Sequence, residues 1–168
     1  MLMRQNTTAE LAGRTVLIRA NFENGVTPAL GALISRYTRA GARVAVIGGY
    51  GDPCDDVNPA LSLACFVETL SGAAGCPVTF IGESVGAGGE AGLDRIEFGE
   101  AALLENLRFH GARHRDARSF ALKLSVLADF FVDMGAAPAD PKGWPTQLRS
   151  LLPEPPFAQS TNDMNEEA

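Results

Sequence analysis

Apolar residues in this chain fall into two alternating patterns: short continuous runs, and longer stretches with a period near 3.6. The continuous runs predict strands at Thr15 to Phe22, Arg43 to Ile47, Val78 to Ile81, Ala101 to Leu104 and Phe130 to Val132. They lack polar alternation, so both of their faces should be buried. Between them, Ala29 to Ala40 has helical spacing, with Leu30, Leu33, Ile34 and Tyr37 on one face and Gly41 as a stop signal. Asn58 is placed to cap a helix running through Leu61, Leu63, Phe66, Val67 and Leu70 to Gly72. Asp116 is placed to cap another from Ala117 to Leu127, with Phe120, Leu122, Leu124 and Leu127 inward. Trp144 to Leu152 can form a short helix with Pro145 in its first turn. Gly82 to Gly92 holds five glycines; a short helix could lie there, but its propensity is poor, and a mobile connection is the first expectation. Strands alternating with helices imply an α/β fold: an open, doubly wound parallel sheet with helices on both faces.

The 168 residues suffice for one domain with a sizeable core. A polar N-terminus, residues 1–10, should be flexible. Residues 11–157 should form the domain. Pro153, Pro155 and Pro156 end the last helix, and the polar, acidic residues 158–168 should be disordered. With 46% hydrophobic and 20% charged residues the composition is that of a globular protein. A net charge of −6 argues against nucleic acid or an anionic membrane as partner. No apolar run reaches the roughly 18 residues that span a bilayer, and no secretory signal opens the chain, so the cytoplasm is the expected compartment. Cys54, Cys65 and Cys76 lie eleven apart, without zinc-site spacing, and are expected to be small core residues. His110 and His114 are four apart, but Gly111 and the preceding strand disfavour a helical metal pair. No metal is expected. No glycine precedes Lys-Ser or Lys-Thr, so no phosphate loop is present and no cofactor is expected.

The run Leu103-Leu104-Glu105-Asn106-Leu107-Arg108-Phe109-His110 resembles the LLENLRFH signature of phosphoglycerate kinase. Leu11 to Arg19 is similar to the family's opening strand, LKGKRVLVR. Gly41 to Ile47 resembles its second strand, Ser125 to Val132 resembles ASLADVYVND, and Leu152 to Phe157 resembles the NPERPF segment that opens the second domain. The resemblance covers residues 11–157 and implies the family's first domain, which binds 3-phosphoglycerate, without the second, which binds nucleotide and magnesium.

By the same resemblance Arg108 matches the arginine that reaches the anionic substrate. Elsewhere the pattern departs. In place of RVDFNVP the chain has Arg19-Ala20-Asn21-Phe22-Glu23-Asn24-Gly25, which puts Asn21 at the aspartate and Glu23 at the asparagine. The catalytic arginine falls near Val26. In place of SHLGRP it has Gly48-Gly49-Tyr50-Gly51-Asp52-Pro53, so Gly49 replaces a histidine and Asp52 an arginine. Lys142 could substitute for the arginine of the AHRAH segment. The candidate anion-binding residues are therefore Arg108, Asn21, Gly49 and Lys142, and no catalytic residue is assigned. The expected function is a catalytically inactive, regulatory or scaffold protein-binding module. Its partner would be an unknown protein or a second copy, docked on the former interdomain face at Phe22, Glu23, Tyr50, Asp52, Arg113 and Arg115. One alternative is a sensor weakly binding a phosphorylated metabolite such as 3-phosphoglycerate. Another is a half-enzyme working with a separate nucleotide-binding domain.

Overall fold

The computed structural model describes residues 9–135 and 140–156. Five strands, β1 (Thr15–Asn21), β2 (Arg43–Gly49), β3 (Val78–Ile81), β4 (Ala101–Leu104) and β5 (Phe130–Asp133), form one parallel sheet in the order β3-β4-β2-β1-β5. The α/β, doubly wound reading holds. Among the helices that connect or flank them are α1 (Pro28–Arg39), α2 (Val67–Ala74), α3 (Ala87–Asp94), α4 (Ala112–Arg115), α5 (Ala117–Ser125) and α6 (Trp144–Leu151).

The period of two along each strand divides the core between the faces. Val16, Ile18, Val44, Val46, Ala101 and Leu103 pack with Leu30, Ile34, Tyr37 and Leu70 of α1 and α2. Leu17, Ala45, Ile47, Ala102, Leu104 and Phe131 pack with Leu93, Phe120, Leu124 and Leu148 of α3, α5 and α6. This is why the strands read as unbroken apolar runs. α1 crosses α2 closely at Gly31, where a Cβ would collide with the backbone carbonyl of Ala73.

Four expectations are corrected. Asn58 caps only a 3₁₀ turn, Pro59–Leu61, and Ser62 caps a second, Leu63–Phe66, so the α-helix starts at Val67. The glycine-rich segment is built around helix α3, not a bare connection. Its glycines are packing positions: a Cβ at Gly88 would collide with the Glu83 carboxylate, one at Gly89 would stand 2.5 Å from the Ser84 carbonyl, and one at Gly92 2.6 Å from Ile81. Leu122 faces solvent at 44% exposure, because α5 buries Phe120, Ala121 and Leu124 instead. The cysteines are not core residues: Cys54 and Cys65 are exposed and Cys76 is half-buried. Residues 1–8 and the tail 158–168 lie outside the described residues, as does Phe157.

Candidate functional site

The carboxyl ends of β1, β2, β4 and β5 meet at one edge of the sheet, where open parallel sheets bind ligands. The segment after β4 organises this edge. Glu105 Oε1 accepts from the backbone N–H of Leu63, and Oε2 from the Ser62 hydroxyl, which ties the β4 end to the second 3₁₀ turn. Asn106 is fully buried. Its Nδ2 donates to the carbonyls of Tyr50 and Leu61 at 2.8 and 2.9 Å, and its Oδ1 accepts from the backbone N–H of Tyr50 and of Arg108. Both ends of the long connection after β2 and the segment after β4 are thus held by one amide. Leu107 and Phe109 fill the core on either side, leaving Arg108 to project over the end of β2.

The two glycines there have distinct reasons. A Cβ on Gly48 would collide with the Ala20 carbonyl and the Phe22 ring. A Cβ on Gly49 would stand 2.6 Å from Arg108 Nε. The small residues let β1 close on β2 and let the guanidinium lie flat against the strand end.

A cavity of about 190 Å³ opens at this point, lined by Asn21, Gly49, Arg108, Arg19, Arg113 and His114 among others. A second, of about 380 Å³, adjoins it and is lined by Lys142, Asp133, Arg149 and Thr146 as well as by Arg19, Arg113, His114 and Trp144, which border both. The four candidate anion-binding residues are therefore brought to one edge, three in the first cavity and Lys142 in the second.

The charge balance of the first cavity is the decisive local feature. Each of its three arginines is paired with a carboxylate of the chain. Arg108 Nη1 meets Glu23 Oε1 and also donates to the Gly51 carbonyl at 2.7 Å. Arg113 Nη1 meets Asp55 at 2.5 Å and donates to the carbonyls of Arg108 and His110. Arg19 Nη1 meets Asp133 at 2.9 Å, and Arg149 reaches the other oxygen of the same carboxylate at 3.0 Å. Asp133 is only 4% exposed, so its charge is buried between two guanidinium groups. Among the described residues His114, Arg115 and Lys142 make no ion pair, and all three are exposed.

The hydrogen bond from Arg113 holds the Asp55 carboxyl below the usual carboxylate range. Burial, with added repulsion from Arg113 and Lys123, holds His110 below the ordinary imidazole value. His110 Nε2 lies 2.9 Å from the hydroxyl of the fully buried Ser84.

The candidate docking residues divide. Glu23, Asp52 and Arg115 are exposed and Tyr50 is half-buried, its ring edge-on to Phe66 at 5.1 Å. Phe22 is corrected: at 0% exposure it packs beneath the loops against Phe66, because the turn after β1 folds it inward. Arg113, 12% exposed at its side chain, is a buried brace. Arg19, Asp133, Trp144 and Arg149 were not singled out from the sequence. An arginine inside an otherwise buried strand was the available signal, since such a charge requires a partner. Trp144 lies under the Arg19 guanidinium, 5.4 Å from its ring centre, and edge-on to Phe120.

The family model described as phosphoglycerate kinase matches residues 7–136. The chain belongs to the phosphoglycerate kinase family. The phosphoglycerate kinase of Caulobacter vibrioides is 31% identical, with 93% of this chain and 42% of that protein covered. That of Synechococcus elongatus is 34% identical over 78% of this chain and 36% of its own length. The chain thus spans less than half the length of these curated phosphoglycerate kinases. The crystal structure of phosphoglycerate kinase from Pyrococcus horikoshii OT3 superposes with a TM-score of 0.72 at 20% identity, over 91% of this chain and 42% of that one. The Coxiella burnetii phosphoglycerate kinase structure gives 0.58 at 24% identity. These two likenesses concern the fold. Within the phosphoglycerate kinase fold, the LLENLRFH residues serve here chiefly as the clamp that Glu105 and Asn106 build.

Among the described residues, no group of three or more His, Cys, Asp or Glu is placed to hold a metal ion. No helix among them is long and apolar enough to cross a membrane.

Proposed function

We propose that this phosphoglycerate kinase-family domain performs no phosphoryl transfer and serves in the cytoplasm as a protein-binding module. One observation carries the reading: Arg19, Arg108 and Arg113, the three arginines of the strand-end cavity, are each neutralised by a carboxylate of the chain. Phosphoryl transfer depends on cations free to gather around the transferring group. Cations already spent on Glu23, Asp55 and Asp133 are poorly suited to that work. Glu23, Asp52, Arg115 and Lys142 are all exposed. Mixed charge of this kind suits registration with a protein surface better than capture of a small dianion.

The test is a coupled assay of the purified chain with ATP and 3-phosphoglycerate. No turnover above background is expected. Turnover that disappears in Arg108→Ala would overturn the proposal and favour the half-enzyme reading. For the docking face, light scattering and cross-linking across concentration should reveal a dimer, or a complex on addition of lysate, that Asp52→Lys and Arg115→Glu weaken.

The second cavity favours one further reading, a metabolite sensor, because His114 and Lys142 there carry no ion pair. Two exposed cations offset little of the desolvation of a dianion. Calorimetry with 3-phosphoglycerate should give millimolar affinity or none. A micromolar, salt-sensitive constant would favour the sensor.

A further inference from the structure

We propose that Glu23 is an internal ligand of the Arg108 site, so that the site accepts an external anion only in exchange for the Glu23 carboxylate. The inference rests on the reading of the cavity given above and deepens it by naming what occupies the site.

The turn after β1 is built to deliver this side chain. Asn21 Oδ1 accepts from the Glu23 backbone N–H at 3.0 Å, and the Gly25 N–H donates to the Phe22 carbonyl at 3.0 Å, with Gly25 at φ +78. The reversal carries Glu23 over the end of β2. There Oε1 accepts from the Gly51 backbone N–H at 2.9 Å and meets Arg108 Nη1. A backbone N–H and a guanidinium converging on one oxygen is the donor set that holds small oxyanions. The donors are preorganised. Arg108 lies against Gly49, its own N–H is held by Asn106 Oδ1 at 3.0 Å, and Nη1 is anchored on the Gly51 carbonyl. The occupant is not held as firmly. The Arg108 and Glu23 side chains remain 34% and 39% exposed, and a pair this open competes with water. By contrast Asp133 is buried between two arginines, and Arg113 is tied to two carbonyls besides Asp55. Asp55 is as open as Glu23, but Arg113 beneath it is only 12% exposed, so Arg108 is the arginine that departure of its carboxylate would leave open to an external anion. The ligand class follows from the donors: a small oxyanion that can take the place of the Glu23 carboxylate, with inorganic phosphate as the probe.

The experiment titrates inorganic phosphate into the full folded chain, by calorimetry and by the Arg108 Nε–H resonance. Wild type, Glu23→Gln, Glu23→Ala and Glu23→Gln/Arg108→Ala are compared. The glutamine keeps an acceptor for the Gly51 N–H while removing the competing charge. Phosphate should bind Glu23→Gln and Glu23→Ala at least about tenfold more tightly than wild type, since a like charge within contact distance is removed. The double variant should lose the gain. Equal affinity in wild type and both single variants, no binding in any of them, or a gain that survives Arg108→Ala would overturn the proposal. Turnover in the coupled assay would instead defeat the non-catalytic reading and leave the exchange at Arg108 standing.

Discussion

Asn106 and His110 show how much of the family signature is architecture. Asn106 satisfies the carbonyls of Tyr50 and Leu61 and two backbone N–H groups without reaching solvent. Asn106→Ala should strand those groups and lower stability by about 2–4 kcal/mol, measured by urea unfolding. A loss under about 0.5 kcal/mol would mean that the loops hold themselves. His110 contributes through its proton. Its folded value is depressed by burial, so the unfolded chain takes up a proton first as pH falls. Stability should be full above the unfolded imidazole value of about 6.5 and decline as pH drops through it toward the lower folded value. Asp55 acts in a separate, more acidic window: its stabilisation is present above the unfolded carboxylate value of 3.8 and is lost as pH falls through the lower folded value. Unfolding midpoints at pH 7.5 and 5.5 should differ for the wild type, and His110→Asn should reduce that difference. An unchanged difference would remove His110 as the cause.

At the scale of elements, periodicity served well where burial is two-sided and poorly where small residues act by fit. The five strands were legible because each sends alternate side chains into two cores. The helix α3 was not, because propensity penalises glycine while Gly89 and Gly92 sit against the Ser84 backbone and the Ile81 side chain, where a Cβ would collide. Leu122 misled because helical spacing alone does not say which side of a leucine-rich helix turns inward. The glycines of α1 and α2 provide a paired test. Gly31→Ala should destabilise by about 1–3 kcal/mol, since the methyl meets the Ala73 backbone. Gly72→Ala, with nothing within 4 Å and no positive φ, should stabilise by about 0.4–1 kcal/mol. The two variants differ by one methyl group each, so thermal shifts of the same sign would contradict the packing account.

For the molecule as a whole, fold class and family could be read from short local strings, but the charge state of the site could not. The carboxylates that neutralise Arg108, Arg113 and Arg19 lie 85, 58 and 114 residues away along the chain. Only the sheet order brings them together. Glu23 and Asp52 were recognisable as departures from the family pattern, yet that Glu23 would face Arg108 and Asp52 the Cys54 backbone N–H was decided by loop geometry. The edge of the sheet also depends on a distant segment: the Phe131 N–H of β5 donates to the Pro153 carbonyl at 3.0 Å, and Pro155 is buried. Truncation after Leu152 should leave that edge open. An exposed edge strand invites pairing with another chain. Light scattering should then report self-association, and a monomer with an unshifted melting temperature would show that the segment is dispensable.

The position of β1 has a consequence for how the chain reaches this state. The first of the five strands in chain order ends up between β2, which follows it closely, and β5, the fifth. Its links to β5, the Asp129 carboxylate on the Thr15 N–H and the Asp133 carboxylate on Arg19, each close a loop of 114 residues. Loop closure of that length is entropically costly and slow to repay. On the ribosome, β1 and β2 can pair early with α1 across them, while the far side of β1 must wait, unpaired, until β5 follows 114 residues later. The growing polypeptide therefore carries its own open template until β5, the last of the five strands in chain order, emerges to close it.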